Sequence, residues 1–123
     1  MREAFDLLPD PVFCVNCQTS TFFDVNQAAC RCLGYTAEEL VGMMLDRVCP
    51  EKEIAVLEER LAAAATEGQT SAVVRTQLRT KDDQTIPVEC HVSAIQEPGG
   101  TKWMIVARQL ALDDVAVSKK MPP

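Results

Sequence analysis

Six cysteines and one histidine, His91, are the side chains here whose types suit metal ligation or nucleophilic attack. Nucleophilic catalysis needs a base beside the nucleophile and a third group to orient it, and no Ser, His and Asp arrangement can be assembled around the lone histidine. No glycine-rich loop is present to cradle a phosphate. The sequence therefore predicts no catalytic residues within the chain. Cys14-Val15-Asn16-Cys17 is followed by Gln18 rather than His, which removes covalent c-type haem attachment. The six thiols (Cys14, Cys17, Cys30, Cys32, Cys49, Cys90) are an even number. A domain of this size needs no disulfide staples, and reducing cytosol would keep them as thiols. Most are expected to act as small core hydrophobes.

The elements that must position these residues come from 123 residues, 47% hydrophobic and 24% charged, which predicts one domain. The net charge of -6 and the lack of a basic run argue against nucleic acid as a partner. Apolar runs such as Leu61 to Ala65 fall far short of the ~20 residues that span a bilayer, so no membrane contact is expected. Acidic residues interrupt the start at once, unlike a secretory signal, which points to a soluble cytoplasmic chain.

Residues 1 to 8 predict a short amphipathic helix stopped by Pro9 and Pro11. Val12 to Val15 and Thr21 to Val25 predict a hairpin around the polar turn Asn16 to Ser20. Asn26 suits the N-cap of a helix over Gln27 to Leu33, with Gly34 as its left-handed stop. Thr36-Ala37-Glu38-Glu39 has the capping-box pattern, and Gly42 closes that segment. Ile54, Leu57 and Leu61 recur at helical spacing between Pro50 and Gly68, predicting the longest helix over roughly 50–67. The period then falls to two. Ala72, Val74, Thr76 and Leu78 alternate in one strand, and Ile86, Val88, Cys90, Val92 and Ala94 in the next, leaving His91 towards water or an interface. Trp103 to Leu110 predicts a last strand, dense enough in apolar residues to lie centrally with both faces covered. Residues 111–123 lack a sustained apolar period and predict a linker.

This order predicts an α+β fold, an antiparallel sheet with helices on one face. Leu8-Pro9-Asp10-Pro11-Val12-Phe13, Val25-Asn26-Gln27-Ala28-Ala29 and Leu33 to Gly42 resemble the first half of a PAS domain, and Thr80 to Glu89 resembles the hairpin joining its third and fourth strands. The resemblance covers about residues 5 to 110 and is most specific from Asn26 to Gly42. It implies a five-stranded antiparallel sheet with short helices and one longer helix on one face, spanning 1–110, and a linker over 111–123 towards an effector in cis. It also implies signal sensing and dimerisation in a bacterial sensor protein, with a two-component histidine kinase as the expected setting. Phe5, Leu7 and Leu8 have too little chain to bury them alone, so self-association through the N-terminal helix lying on the sheet is expected.

The flavin-binding branch of that family carries an Asn-Cys-Arg motif, and the matching stretch Gly42 to Cys49 lacks it. Haem-binding relatives place a histidine on the long helix, where residues 50–67 have none. Cys14, Cys17, Cys30 and Cys32 approximate the ligand set of iron-sulfur relatives, and zinc could use the same thiols, which makes a redox or oxygen sensor the competing reading. Helical geometry argues against it, because residues i and i+2 point about 200° apart, so Cys30 and Cys32 cannot face one cluster on a regular helix. The remaining pocket candidates are Ile54, Leu57 and Leu61 against Val74, Leu78, Val88, Cys90, Met104 and Val106. Their aliphatic character predicts a filled core before a cavity, and the ligand stays unassigned.

Overall fold

In the computed structural model, residues 2–110 are described. The first half is built by capped turns. Helix α1 (Arg2–Leu7) ends before the prolines, and β1 (Val12–Asn16) turns into β2 (Thr21–Val25). Helix α2 (Gln27–Leu33) starts on the Asn26 cap and stops at Gly34, whose φ of 82° is the left-handed conformation that glycine adopts without a Cβ penalty. Helix α3 (Ala37–Leu40) carries the full capping box: Thr36 Oγ1 accepts from the Glu39 N–H, and Glu39 Oε1 accepts from the Thr36 N–H. A 3-10 turn (Leu45–Arg47) leads into α4 (Glu51–Thr66). Pro50 was expected at the first helical position and stands one residue earlier. Its ψ of 141° is extended, and its carbonyl accepts from the N–H groups of Glu53 and Ile54.

The second half is a meander of β3 (Ser71–Arg79), β4 (Thr85–Glu97) and β5 (Gly100–Gln109). With the first hairpin it forms one five-stranded sheet in the order β2-β1-β5-β4-β3, every neighbouring pair antiparallel. The sequence-distant strands β1 and β5 meet at the centre, so the first and last segments of the domain hold each other. No helix among the described residues is long and apolar enough to cross a membrane.

All the larger helices and the inner sheet face share one core. Phe13, Val15, Phe22, Val74, Leu78, Val88, Cys90, Val92, Trp103, Ile105 and Ala107 face it from the strands, and Leu33, Leu40, Leu45, Val48, Leu57 and Leu61 close it from the other side. Two expectations change here. β5 is central, but only one of its faces is covered: Met104 is exposed on the other. Helix α1 does not lie on the sheet. It packs against α2, tied by the Phe5 carbonyl to the Asn26 side chain, and leaves Leu7 exposed. Residues 111–123, expected to be a linker, lie outside the described residues.

Candidate functional site

Between α4 and the inner sheet face lies a cavity of about 20 Å³. That is room for one water-sized occupant. Its walls come from all five strands, the turn before α4 and α4 itself: Phe13 and Phe22 from the first hairpin, Leu45, Val48 and Cys49 from the turn, Glu53, Ile54 and Leu57 from α4, and Val74, Thr76, Leu78, Cys90 and Ile105 from the meander. Of the residues singled out in the sequence, the structure brings Ile54, Leu57, Val74, Leu78 and Cys90 to this cavity. Leu61 and Val88 are buried in the same core but off the cavity wall. Met104 and Val106 point to the opposite face of β5, and Ile105 takes their place.

The polar content of the cavity is small and specific. Thr76 Oγ1 is buried and has no hydrogen-bond partner among the described residues. Burial of a hydroxyl without a partner costs on the order of 1–3 kcal/mol, so this atom is held at a price in stability. It belongs to the wall of a largely apolar space, on which Cys49, Glu53 and Cys90 are the other residues carrying polar groups. Helix α4 is held by few side chains, with Leu57 and Leu61 buried and Ile54 half-buried. An occupant of more than one or two heavy atoms therefore requires Ile54 and Leu57 to shift.

Cys49 and Cys90 contribute thiols, not thiolates. Burial pushes Cys49 up to about 11, with Glu53 adding to the rise. Burial likewise pushes Cys90 up to about 12, with Cys49 and Cys32 adding. A buried thiol with so high a pKa is a poor nucleophile at neutral pH. The sign of the pH effect follows: both folded-state values exceed the ordinary 9.0, so the stabilisation is complete below pH 9 and is lost as pH rises, because the unfolded chain ionises first. Between pH 9 and 11 the slope is about 1 kcal/mol per pH unit for each thiol. Urea denaturation at pH 8 and pH 10 should show this loss in the wild type and a smaller one in Cys90→Ala; equal losses would remove the thiol from the explanation.

The four cysteines weighed as a cluster are not gathered. Cys14 is buried on β1, Cys17 lies past its end with the charge of Glu58 of α4 acting on it, and Cys30 and Cys32 sit half-buried on α2. Among the described residues no group of three or more His, Cys, Asp or Glu side chains is placed to hold a metal ion. His91 is on the outer sheet face, where its Nε2 lies 3.1 Å from Glu89 Oε1. This contact, followed by the Arg75 guanidinium at 3.4 Å, holds the Glu89 carboxyl below the usual carboxylate range.

The outer face is the second feature of note. Phe23, Val73, Ile95 and Met104 are exposed there, and Lys102 Nζ stands 5.8 Å from the Phe23 ring centroid. These residues come from four strands and are interspersed with the charged Arg75, Glu89 and Lys102 and with His91.

The family model described as PAS fold matches residues 1–110. Among solved structures, a PAS domain from a two-component sensor histidine kinase is 18% identical with a TM-score of 0.74, covering 89% of this chain and 92% of that one. The PAS domain of an HTR-like protein from Haloarcula marismortui is 18% identical with a TM-score of 0.70, covering 89% and 88%. The PAS domain of a LuxR-family transcriptional regulator from Burkholderia thailandensis, in complex with ethanol, is 14% identical with a TM-score of 0.67, covering 86% and 95%. At these identities the likeness is one of fold. No curated protein matches the sequence.

Proposed function

Since the chain belongs to the PAS family of sensory domains, we propose that it senses a small, weakly polar molecule in the cavity beneath α4 and passes the signal to an effector in cis. The observation that carries this reading is the buried Thr76 hydroxyl without a partner among the described residues, on the wall of a largely apolar enclosure under α4. A few precisely placed polar groups in an apolar pocket are the usual means of orienting a small ligand. Short alcohols have this balance, and the Burkholderia domain of the same fold is itself a complex with ethanol. The likeness to a PAS domain of a two-component sensor histidine kinase supports a kinase as the effector.

The domain acts as a homodimer in this reading. The exposed Phe23, Val73, Ile95 and Met104 of the outer sheet face, with Leu7 and Leu8 of the N-terminal segment, supply apolar surface for a second copy. Self-complementary use of one such face is how two-fold dimers form.

Thr76→Val tests the ligand reading. Replacing the unpartnered hydroxyl by a methyl group should raise the unfolding free energy by about 1 kcal/mol. In an NMR titration with ethanol, amide shifts around Thr76 and Cys90 seen in the wild type should be lost in the variant. A variant less stable than the wild type, or one that binds the alcohol equally well, would contradict the role given to this hydroxyl.

A further inference from the structure

The cavity beneath α4 has an open neighbour. A groove of about 420 Å³ lies between the 3-10 turn and α4, and Leu45 and Ile54 belong to the walls of both spaces. These two side chains therefore stand between the cavity and solvent. They are not equally fixed. Leu45 is 5% exposed, its N–H donates to the Ser20 carbonyl at 2.8 Å, and its own carbonyl accepts from the Val48 and Cys49 N–H groups. Ile54 is half-buried at the end of the first turn of α4, and that helix starts at Pro50 without a side-chain cap, whereas α2 and α3 both have one. An uncapped first turn opens at lower cost. Because the β-branched Ile54 has one strongly preferred χ1 in a helix, the passage widens by movement of that turn and not by a rotamer flip.

The other walls of the groove carry three exposed carboxylates, Asp46, Glu51 and Glu58, and no lysine or arginine among the described residues. An anion approaching this mouth meets charges of its own sign, and a cation that passes them must shed its water to enter a largely apolar space. We propose that Ile54 gates the sensing cavity from this groove and that the acidic mouth selects uncharged molecules over carboxylates and phosphates, a proposal that rests on the reading of the cavity as the sensing site.

Cys49 and Cys90 lie on the cavity wall, so their alkylation reads the passage without any bound ligand. The rate at each thiol comes from peptide mass spectrometry of the folded 123-residue chain. Ile54→Ala should speed the reaction of both thiols with iodoacetamide roughly fivefold, and Ile54→Trp, which fills the mouth, should slow it. Leu61→Ala, which empties the same core away from the cavity wall, should leave the rate near that of the wild type. Equal acceleration in Leu61→Ala would mean that the thiols are reached by general unfolding, and would overturn the gate. Iodoacetate is an anion of nearly the same size. Combining Asp46→Asn, Glu51→Gln and Glu58→Gln should raise its rate roughly fivefold relative to iodoacetamide at low salt, a gain that screening removes at about 0.5 M salt. An unchanged ratio of the two reagents would overturn the charge selection. Failure of these rates strikes the gate alone, whereas ethanol that leaves the wild-type Thr76 amide unshifted would overturn the sensing reading and the ligand class with it.

Discussion

Asn26→Ala is expected to lower the unfolding free energy by about 3 kcal/mol, well beyond the ~1 kcal/mol of a lost helix cap. The reason is the number of groups one side chain satisfies. Its Oδ1 accepts from the Ala29 N–H at 3.0 Å, which caps α2, and from the Val12 N–H at 2.9 Å, which holds the start of β1. Its Nδ2 donates to the carbonyls of Phe5 at 3.2 Å and Asp10 at 3.0 Å, which pins α1 and the proline turn. The side chain is fully buried, so water cannot take over the two orphaned N–H groups. Against a total stability of roughly 5–15 kcal/mol for a domain, this is a large share. Asn26→Asp separates the two halves of the argument. The carboxylate can still accept from Val12 and Ala29 but faces two carbonyl oxygens where Nδ2 stood, which favours the protonated acid and raises the folded-state pKa. The variant should therefore be most stable below about pH 4, the unfolded carboxyl value, and weaken as pH rises. A loss near 1 kcal/mol for the alanine variant, or a pH-independent aspartate variant, would reduce Asn26 to an ordinary cap.

Leu57→Ala is expected to cost about 3 kcal/mol, the usual range for a buried leucine whose site cannot collapse. Leu57 is 4% exposed and lines the existing cavity, so its truncation enlarges a space already lined by Phe13, Phe22 and Val74. An enlarged apolar space of this kind binds benzene or xenon. At ten times its dissociation constant such a probe should restore about 1.4 kcal/mol, by mass action on the folded state. A loss under 1 kcal/mol would mean that α4 falls into the gap, and no recovery with benzene would mean that the enlarged space is closed to ligands.

Much of this arrangement could be read from local signals. The Asn26 and Thr36 caps, Gly34, and the alternation in β3 and β4 are short-range patterns, and each element forms where its pattern lies. The parity of β5 could not be read the same way. Trp103 to Ala107 is apolar at every position, so periodicity does not choose a face, and the inward positions are those of Ile105 and Ala107, not of Met104 and Val106. Thr76 shares the parity of Val74 and Leu78, yet its lack of a partner among the described residues depends on what α4 brings opposite it, a tertiary fact without a sequence signal. Cys49 and Glu53 enter the cavity wall for the same reason, through the turn before α4 and its first turn. The multiple contacts of Asn26 join residues 21 positions apart, beyond the reach of any capping rule.

A crystal structure of the protein soaked with ethanol tests the sensing account most directly. The account predicts an alcohol oxygen within hydrogen-bond distance of Thr76 Oγ1, about 2.7–2.8 Å, and Ile54 and Leu57 displaced outwards with α4. Alcohol found only on the surface, with α4 unmoved and the Thr76 hydroxyl bonded to another protein group, would contradict it.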